Sequence, residues 1–78
     1  MTASEVETLK NDGNEKFKAG DFQGALDLYT QALKLKPEGK TVKANLLKNR
    51  AAVYLKREEY TSAENDCTKV KVALTTNR

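Results

Sequence analysis

The chain of 78 residues contains no histidine, no tryptophan and a single cysteine, Cys67. Without histidine there is no imidazole to act as a general base at neutral pH, and none to activate the Cys67 thiol as a nucleophile. One cysteine cannot form an internal disulfide, and no cluster of ligand residues indicates a metal site. We therefore expect a protein that is not an enzyme, that needs no cofactor or metal, and that works in a reducing compartment such as the cytoplasm.

Long apolar runs are also missing. No stretch approaches the ~20 residues of a membrane-spanning helix, and the polar N-terminus lacks the apolar segment of a signal peptide, so we expect no membrane partner. The 14 Lys and Arg residues exceed the 11 Asp and Glu residues by a formal charge of +3, but both signs are interspersed. A nucleic-acid role would rest on charge alone, and the sequence disfavours it. The residues that a nucleic-acid role would use are Lys34, Lys36, Lys40, Lys43, Lys48 and Arg50.

The pattern that is present is helical and begins at residue 9. Leu9, Gly13 and Phe17 are spaced four apart and fall on one stripe of a helix. A break follows at residues 20–21, and a second stripe then runs to the stop at Pro37. Its members are Phe22, Ala25, Leu26, Tyr29, Ala32 and Leu33. Because the turn is short, the two helices must lie antiparallel and cover each other's apolar faces.

Small residues on both stripes predict that these helices pack closely. Gly13 has no side chain, and a glycine inside a helix costs about 1 kcal/mol relative to alanine. We expect close approach of the partner helix to compensate for this cost, with Tyr29 filling the gap beside Ala25. At the turn, Gly20 suits a left-handed residue and Asp21 an N-cap. Ser4 and Glu7 are predicted to form a capping box.

The same reasoning extends to four helices over residues 5–19, 22–36, 41–57 and 60–74, and runs of period two that would favour strands are absent. The predicted fold class is all-α. Predicted core residues of the first helix are Val6, Leu9, Gly13 and Phe17. Those of the last two helices are Leu46, Leu47, Ala51, Tyr54, Leu55, Tyr60, Ala63, Cys67 and Val70.

The second helix pair repeats the first. A shift of 38 residues, which carries Phe22 onto Tyr60, superimposes seven structural positions of the same type. The shift is a few residues longer than a common helical repeat, and the surplus falls in the connection at residues 39–43, where extra length costs little. The agreement ends after Val70, because Lys71 occupies the position that corresponds to Leu33 in the first pair.

This unit resembles the tetratricopeptide repeat, a helix pair of about 34 residues with the pattern W-x₂-L-G-x₂-Y…A-x₃-F…P. The matching positions are Leu9 for the Trp, Gly13 for the Gly, Ala25 and Tyr29 for the Ala and Phe, and Pro37 for the Pro. Asp12 and Lys16 depart from the pattern. The resemblance implies stacked antiparallel hairpins in one domain over residues 5–74, with repeats at about 6–39 and 41–74 and a polar tail at 75–78.

Polar residues beside the core stripes suggest a binding groove. Lys10 and Asn14 are one turn apart on the first helix, and Asn49 and Lys56 lie on one side of the third, with small Ala52 between them. The first helices of stacked pairs line a common concave surface, so these rows should face a shared hollow. Ammonium and amide groups suit a carboxylate. Lys10, Asn14, Asn49 and Lys56 are therefore the candidate peptide-carboxylate site.

These segments resemble the carboxylate-clamp subclass of tetratricopeptide co-chaperones. The similar stretches are LKNDGN at 9–14, KNRAAVYLK at 48–56 and DCTK at 66–69. The longer connection is most similar to the N-terminal repeat domain of the UCS-type myosin chaperones. The resemblance implies an adaptor for the C-terminal Glu-Glu-Val-Asp tails of heat-shock protein 70 and 90 chaperones. It also implies an incomplete clamp, because the family's two other basic clamp residues come from a third repeat.

Other interpretations stay open. The lysines can be ordinary solvated charges, and the asparagines can satisfy local backbone groups. Solenoid repeats usually need about three units for stability, so we expect either a fragment or alternative ending of a longer repeat protein, which we favour, or a small domain that self-associates. In the second case the chain would be an assembly module that pairs through the exposed face of the fourth helix, without a peptide site.

Overall fold

The computed structural model describes the backbone of residues 2–37 and 39–75 and the side chains of residues 5–37 and 39–72. Four helices occupy these residues: α1 (Thr2–Lys18), α2 (Phe22–Lys34), α3 (Lys40–Lys56) and α4 (Tyr60–Thr75). No strand occurs in the described ranges. The all-α prediction is confirmed. Of the predicted polar tail, Thr75 belongs to α4, and residues 76–78 lie outside the described part.

The helices form two stacked hairpins, as a tetratricopeptide array requires. α1 packs along α2, α3 packs along α4, and the α2–α3 contact joins the two hairpins. α1 meets α3 over a short stretch only. This stacking places the first helix of each hairpin, α1 and α3, side by side. Among the described residues, no helix has the length and apolar character needed to cross a bilayer.

The turn between α1 and α2 has the predicted local chemistry. Gly20 adopts a left-handed conformation with φ of +83°, which glycine reaches without strain. The Asp21 carboxylate accepts a hydrogen bond from the Gly24 N–H at 2.9 Å and caps α2. The predicted capping box at Ser4 is wrong, because α1 has already begun at Thr2 and Ser4 lies inside the helix.

The close packing of α1 on α2 centres on Gly13 and Tyr29. A Cβ added to Gly13 would lie 2.6 Å from Tyr29 Cε1, a distance that no real contact reaches. The Tyr29 ring is 2% exposed, and Ala25 and Ala32 beside it on α2 are fully buried. The prediction that the small residues permit close helix approach is therefore confirmed, and the group that fills the space is the tyrosine ring.

The core continues through α3, where Leu46, Leu47, Ala51 and Val53 are buried. α3 is covered by α2 on one side and by α4 on the other, so its buried surface is wider than a single stripe. Sequence periodicity therefore missed Val53. It also placed Leu55 in the core, and this is wrong, because Leu55 lies near the end of α3 and is 52% exposed.

The inward face of α4 differs from the prediction. Tyr60 is 63% exposed and Cys67 is exposed, whereas Asp66 is 2% exposed. Asp66 points toward α3 because its carboxylate pairs with Arg50. Successive residues of a helix are rotated by about 100°, so Cys67 is turned outward. The predicted burial of Tyr60 and Cys67 is therefore wrong.

Candidate peptide-binding site

Asn14 of α1 and Asn49 of α3 meet at the point where these two helices approach. Asn49 Nδ2 donates a hydrogen bond to Asn14 Oδ1 at 3.2 Å. Both side chains are partly buried. The bond joins the first helix of each hairpin, so the structure brings together two of the four candidate site residues, 35 positions apart in the sequence.

A third helix contributes to the same point. The Tyr29 hydroxyl, from α2, also donates to Asn14 Oδ1. Burial raises the pKa of Tyr29 above its ordinary value of 10.0, so the hydroxyl keeps its proton. The sequence pattern predicts only a packing role for Tyr29. The available signal was its departure from the repeat pattern, which has phenylalanine at this position.

The Asn49 donor determines which way the Asn14 amide faces. Its oxygen is occupied twice, and its Nδ2 has no hydrogen-bond partner among the described residues. In that part of the chain no buried side-chain nitrogen or oxygen lacks a partner, so Asn14 Nδ2 reaches solvent. The surface at this point therefore presents the free amide N–H groups of Asn14.

Lys10 lies one helical turn before Asn14 on α1. Its ammonium is 3.3 Å from Glu7 Oε2, and its side chain is 25% exposed while that of Glu7 is 60% exposed. Such an exposed pair within one helix is weak, at about 0.3–0.5 kcal/mol. An incoming carboxylate can therefore compete with Glu7 for the Lys10 ammonium.

Lys56 stands apart from the other candidate residues. It is exposed near the end of α3, seven residues after Asn49, which is about 10 Å along the helix. Within the described residues its side chain forms no hydrogen bond or ion pair. The structure thus brings Lys10, Asn14 and Asn49 to one region but does not bring Lys56 into contact with them.

An ion pair beside Asn49 holds the hairpins together. Arg50 donates from Nε to Asp66 Oδ2 and from Nη2 to Asp66 Oδ1, both at 2.8 Å. Its Nη1 donates to Thr30 Oγ1 at 3.2 Å, and its guanidinium lies 5.8 Å from the centre of the Tyr54 ring. The hydrogen bonds to Asp66 raise the pKa of Arg50. Arg50 therefore links α2, α3 and α4.

The sequence pattern did not indicate this network, because Asp66 entered only as part of a similar segment and not as a core position. Only a buried aspartate requires a cation opposite it, and the burial of Asp66 is visible in the structure alone. Arg50 follows Asn49 directly on α3. The pair therefore also anchors the part of α3 that carries the candidate site.

A hollow between α1 and α2 lies away from these residues. It has a volume of about 550 Å³ and sits between the start of α1 and the end of α2. Its lining residues are Glu5, Thr8, Leu9, Gln31, Lys34 and Leu35. None of them belongs to the candidate site, which is a shallow surface with hydrogen-bond donors. Size is therefore a poorer guide to function here than the chemistry of the side chains.

Comparison with known proteins gives partial matches. The chain is 45% identical over 62 residues to Protein unc-45 homolog B of Danio rerio, covering 78% of this chain and 7% of that protein. It is 38% identical over 63 residues to the DnaJ homolog subfamily C member 7 homolog of Dictyostelium discoideum, covering 81% and 12%. It is 39% identical over 72 residues to the Hsp70/Hsp90 co-chaperone CNS1 of Saccharomyces cerevisiae, covering 92% and 18%.

The chain thus spans less than a fifth of each of these three relatives. No family model matches it, and no solved structure matches it. The relatives confirm the resemblance to tetratricopeptide co-chaperones that the sequence predicted. The match to unc-45 homologues agrees with the narrower likeness to the UCS-type chaperones.

Proposed function

We propose that this chain, a tetratricopeptide segment of the co-chaperone type, is a peptide-binding adaptor for the C-terminal acidic tail of a heat-shock protein 70 or 90 chaperone. The observation that carries the proposal is the meeting of Asn14 and Asn49 with Lys10 one turn away. A relative of the chain is named an Hsp70/Hsp90 co-chaperone. The proposal includes a cytoplasmic location, a single domain over residues 5–74, and no catalytic role.

The donors in the hollow suit a terminal carboxylate. Its two oxygens can accept the N–H groups of Asn14 and Asn49 and the ammonium of Lys10. Hydrogen bonds to a charged group contribute about 1.5–3 kcal/mol each. Lys56, about 10 Å further along α3, would contact an acidic side chain upstream in the peptide and not the terminal carboxylate itself.

The 78 residues supply only part of the clamp that the resemblance implies. Two further basic residues would come from a third repeat, and losing two charge-assisted bonds costs about 1.5–3 kcal/mol each. That is a large share of the ~8 kcal/mol that corresponds to micromolar binding. We therefore expect the isolated chain to bind with a Kd of tens of micromolar or weaker.

The direct test is a titration of the chain with a peptide ending in Glu-Glu-Val-Asp and with the same peptide as its C-terminal amide. The amide lacks the terminal charge and should bind about tenfold more weakly, as expected from the loss of one charge-assisted hydrogen bond. An equal response to the two peptides would remove carboxylate recognition from the proposal.

A matched pair of variants tests the site residues. Asn14→Ala removes a donor from the hollow and should weaken binding of the acid peptide while leaving the helical circular dichroism unchanged. Asn11→Ala changes an exposed asparagine of the same helix and should leave the affinity as it is. If both variants bind like the unmodified chain, Asn14 does not contact the peptide.

The exposed side of α4 supports a second candidate function, self-association. Tyr60 and Val72 are apolar side chains that are 63% and 53% exposed on this helix, and a repeat array would cover exposed apolar side chains with another helix. Sedimentation velocity over a wide range of protein concentration separates the two functions. A sedimentation coefficient that stays monomeric at high concentration would remove the assembly function and leave the adaptor function unaffected.

A further inference from the structure

Tyr29 carries a hydroxyl that the packing of its ring does not require. The ring fills the space over Gly13, and a phenylalanine would fill it equally well. Phenylalanine is also the residue of the repeat pattern at this position. The packing of α1 on α2 therefore does not require the hydroxyl. Its one hydrogen-bond partner among the described residues is Asn14 Oδ1, inside the candidate site.

The hydroxyl and the Asn49 amide together hold the Asn14 side chain in place. Asn14 Oδ1 receives hydrogen bonds from Tyr29 and from Asn49 Nδ2. Rotating the amide by half a turn would set its NH₂ group against the Asn49 donor and break that bond, and the Tyr29 hydroxyl, which can both donate and accept, restrains the amide further. In the observed orientation the NH₂ group of Asn14 is turned to the solvent side, where a peptide carboxylate would arrive.

We propose that Tyr29 is a positioning residue of the peptide site, whose hydroxyl holds the Asn14 amide with its N–H groups directed at the bound carboxylate. The inference rests on the proposed function of the chain. Tyr29 itself is 2% exposed and does not touch the peptide. It acts by preorganisation, because an amide already held in the binding orientation loses less freedom when the ligand binds.

The test compares Tyr29→Phe with Tyr60→Phe in the titration with acid and amide peptides. Tyr60→Phe removes the same hydroxyl from an exposed residue of α4 and should change neither affinity. Tyr29→Phe should weaken binding of the acid peptide by roughly three- to tenfold, the worth of one hydrogen bond, and should leave the amide peptide little changed. The inference is overturned if Tyr29→Phe is folded and keeps the acid-to-amide ratio of the unmodified chain.

A double-mutant cycle tests whether Tyr29 acts through Asn14. If it does, Tyr29→Phe causes no further loss of affinity once Asn14→Ala is present. An equal loss in both backgrounds would show a general structural effect and would overturn the positioning role. If the unmodified chain does not distinguish acid from amide, the proposed function fails and the positioning role fails with it.

If Tyr29→Phe does not fold, a measurement on the unmodified chain can test the positioning role instead. The side-chain amide of Asn14 should show restricted motion in ¹⁵N relaxation, because two hydrogen bonds hold its oxygen. The exposed side chain of Asn65 on α4 is the reference for a mobile asparagine. Equal mobility of the two side chains would overturn the inference without the use of any variant.

Discussion

Arg50 and Asp66 form a bidentate ion pair across the α3–α4 hairpin, with both nitrogen–oxygen distances at 2.8 Å. The side chains are 13% and 2% exposed, respectively. A third bond from Arg50 to Thr30 brings α2 into the same network. The pair is thus a buried contact between charges, and its energetics differ from those of the exposed ion pairs on α1.

Removing one partner of this pair should destabilise the chain strongly. Asp66→Ala leaves the guanidinium of Arg50 buried without its counter-charge, which costs about 3–5 kcal/mol. At about 0.05–0.15 kcal/mol per residue the whole chain is stabilised by only about 4–12 kcal/mol, so the variant should lose a large share of its stability and unfold at a much lower urea concentration. Urea denaturation followed by far-ultraviolet circular dichroism measures the change. Glu64→Ala, an exposed carboxylate of the same helix, is the control. An unchanged urea midpoint in Asp66→Ala would contradict the role of the pair.

Alkaline pH should destabilise the chain partly through Tyr29. Burial raises the pKa of this hydroxyl above 10.0 in the folded chain. Below the ordinary value tyrosine is protonated in both the folded and the unfolded state, so stability does not depend on it there. As the pH rises from about 10 toward the folded pKa, the unfolded state loses the proton first, and unfolding becomes more favourable.

Urea midpoints measured between about pH 8 and pH 11 test this effect, because the range spans the ordinary tyrosine pKa of about 10. Tyr29→Phe should lose less stability than the unmodified chain over the alkaline half of that range. Tyr60→Phe should follow the unmodified chain, because Tyr60 is mostly exposed. Identical alkaline slopes in all three proteins would show that Tyr29 ionises as it does in the unfolded chain.

Glu7 should weaken peptide binding by competing for Lys10. Its carboxylate lies 3.3 Å from the ammonium, and Glu7→Gln would release that ammonium to the peptide. An ion pair of this kind within one helix contributes about 0.3–0.5 kcal/mol, so the acid peptide should bind roughly twofold more tightly. Calorimetric titration provides the measurement.

Glu15→Gln is the matched control for this variant. It makes the same change in net charge on the same helix, but its carboxylate pairs with Lys18, at 3.8 Å, and not with Lys10. A gain confined to Glu7→Gln identifies local competition for Lys10. Equal gains in the two variants would mean that only the overall charge of the chain had changed.

The parts of this fold that the sequence predicts are those set by neighbouring residues. Gly20 and Asp21 define the first turn through backbone conformation and capping, and Gly13 signals a close approach because a glycine inside a helix needs a compensating contact. The exact inward face of α4 was not predictable in the same way. It depends on Asp66 finding Arg50, which is a tertiary pairing that overrides the apolar stripe.

In the candidate site, too, residue spacing predicts some features and tertiary contacts decide the others. Repeat spacing was enough to place Asn14 and Asn49 on neighbouring helices. It did not indicate that the two amides hydrogen-bond each other or that Tyr29 shares the Asn14 oxygen. These contacts depend on rotamers and on distances of about 3 Å between heavy atoms, which residue spacing alone does not determine.

The turn between α3 and α4 offers a stabilising substitution. Glu58 has a φ of +62°, and the repeat shift of 38 residues places it at the position of Gly20 in the first turn. A left-handed conformation costs a residue with a Cβ about 1–2 kcal/mol. Glu58→Gly removes that cost and adds about 0.5–1 kcal/mol of unfolded-state entropy. The expected net gain is about 0.5–1 kcal/mol, or a rise in Tm of roughly 2–8 °C.

Two further substitutions separate backbone conformation from loss of the glutamate side chain. Glu58→Ala removes the carboxylate but keeps the Cβ, so it should not reproduce the gain in Tm. Gly20→Ala is the reciprocal change, and a Cβ there would meet nothing within 4 Å. Any loss of stability at Gly20 must then come from its φ of +83° and not from a clash. Opposite signs for Glu58→Gly and Gly20→Ala would show that both turns require the same left-handed residue. A gain in Tm from Glu58→Ala equal to that from Glu58→Gly would instead attribute the effect to charge.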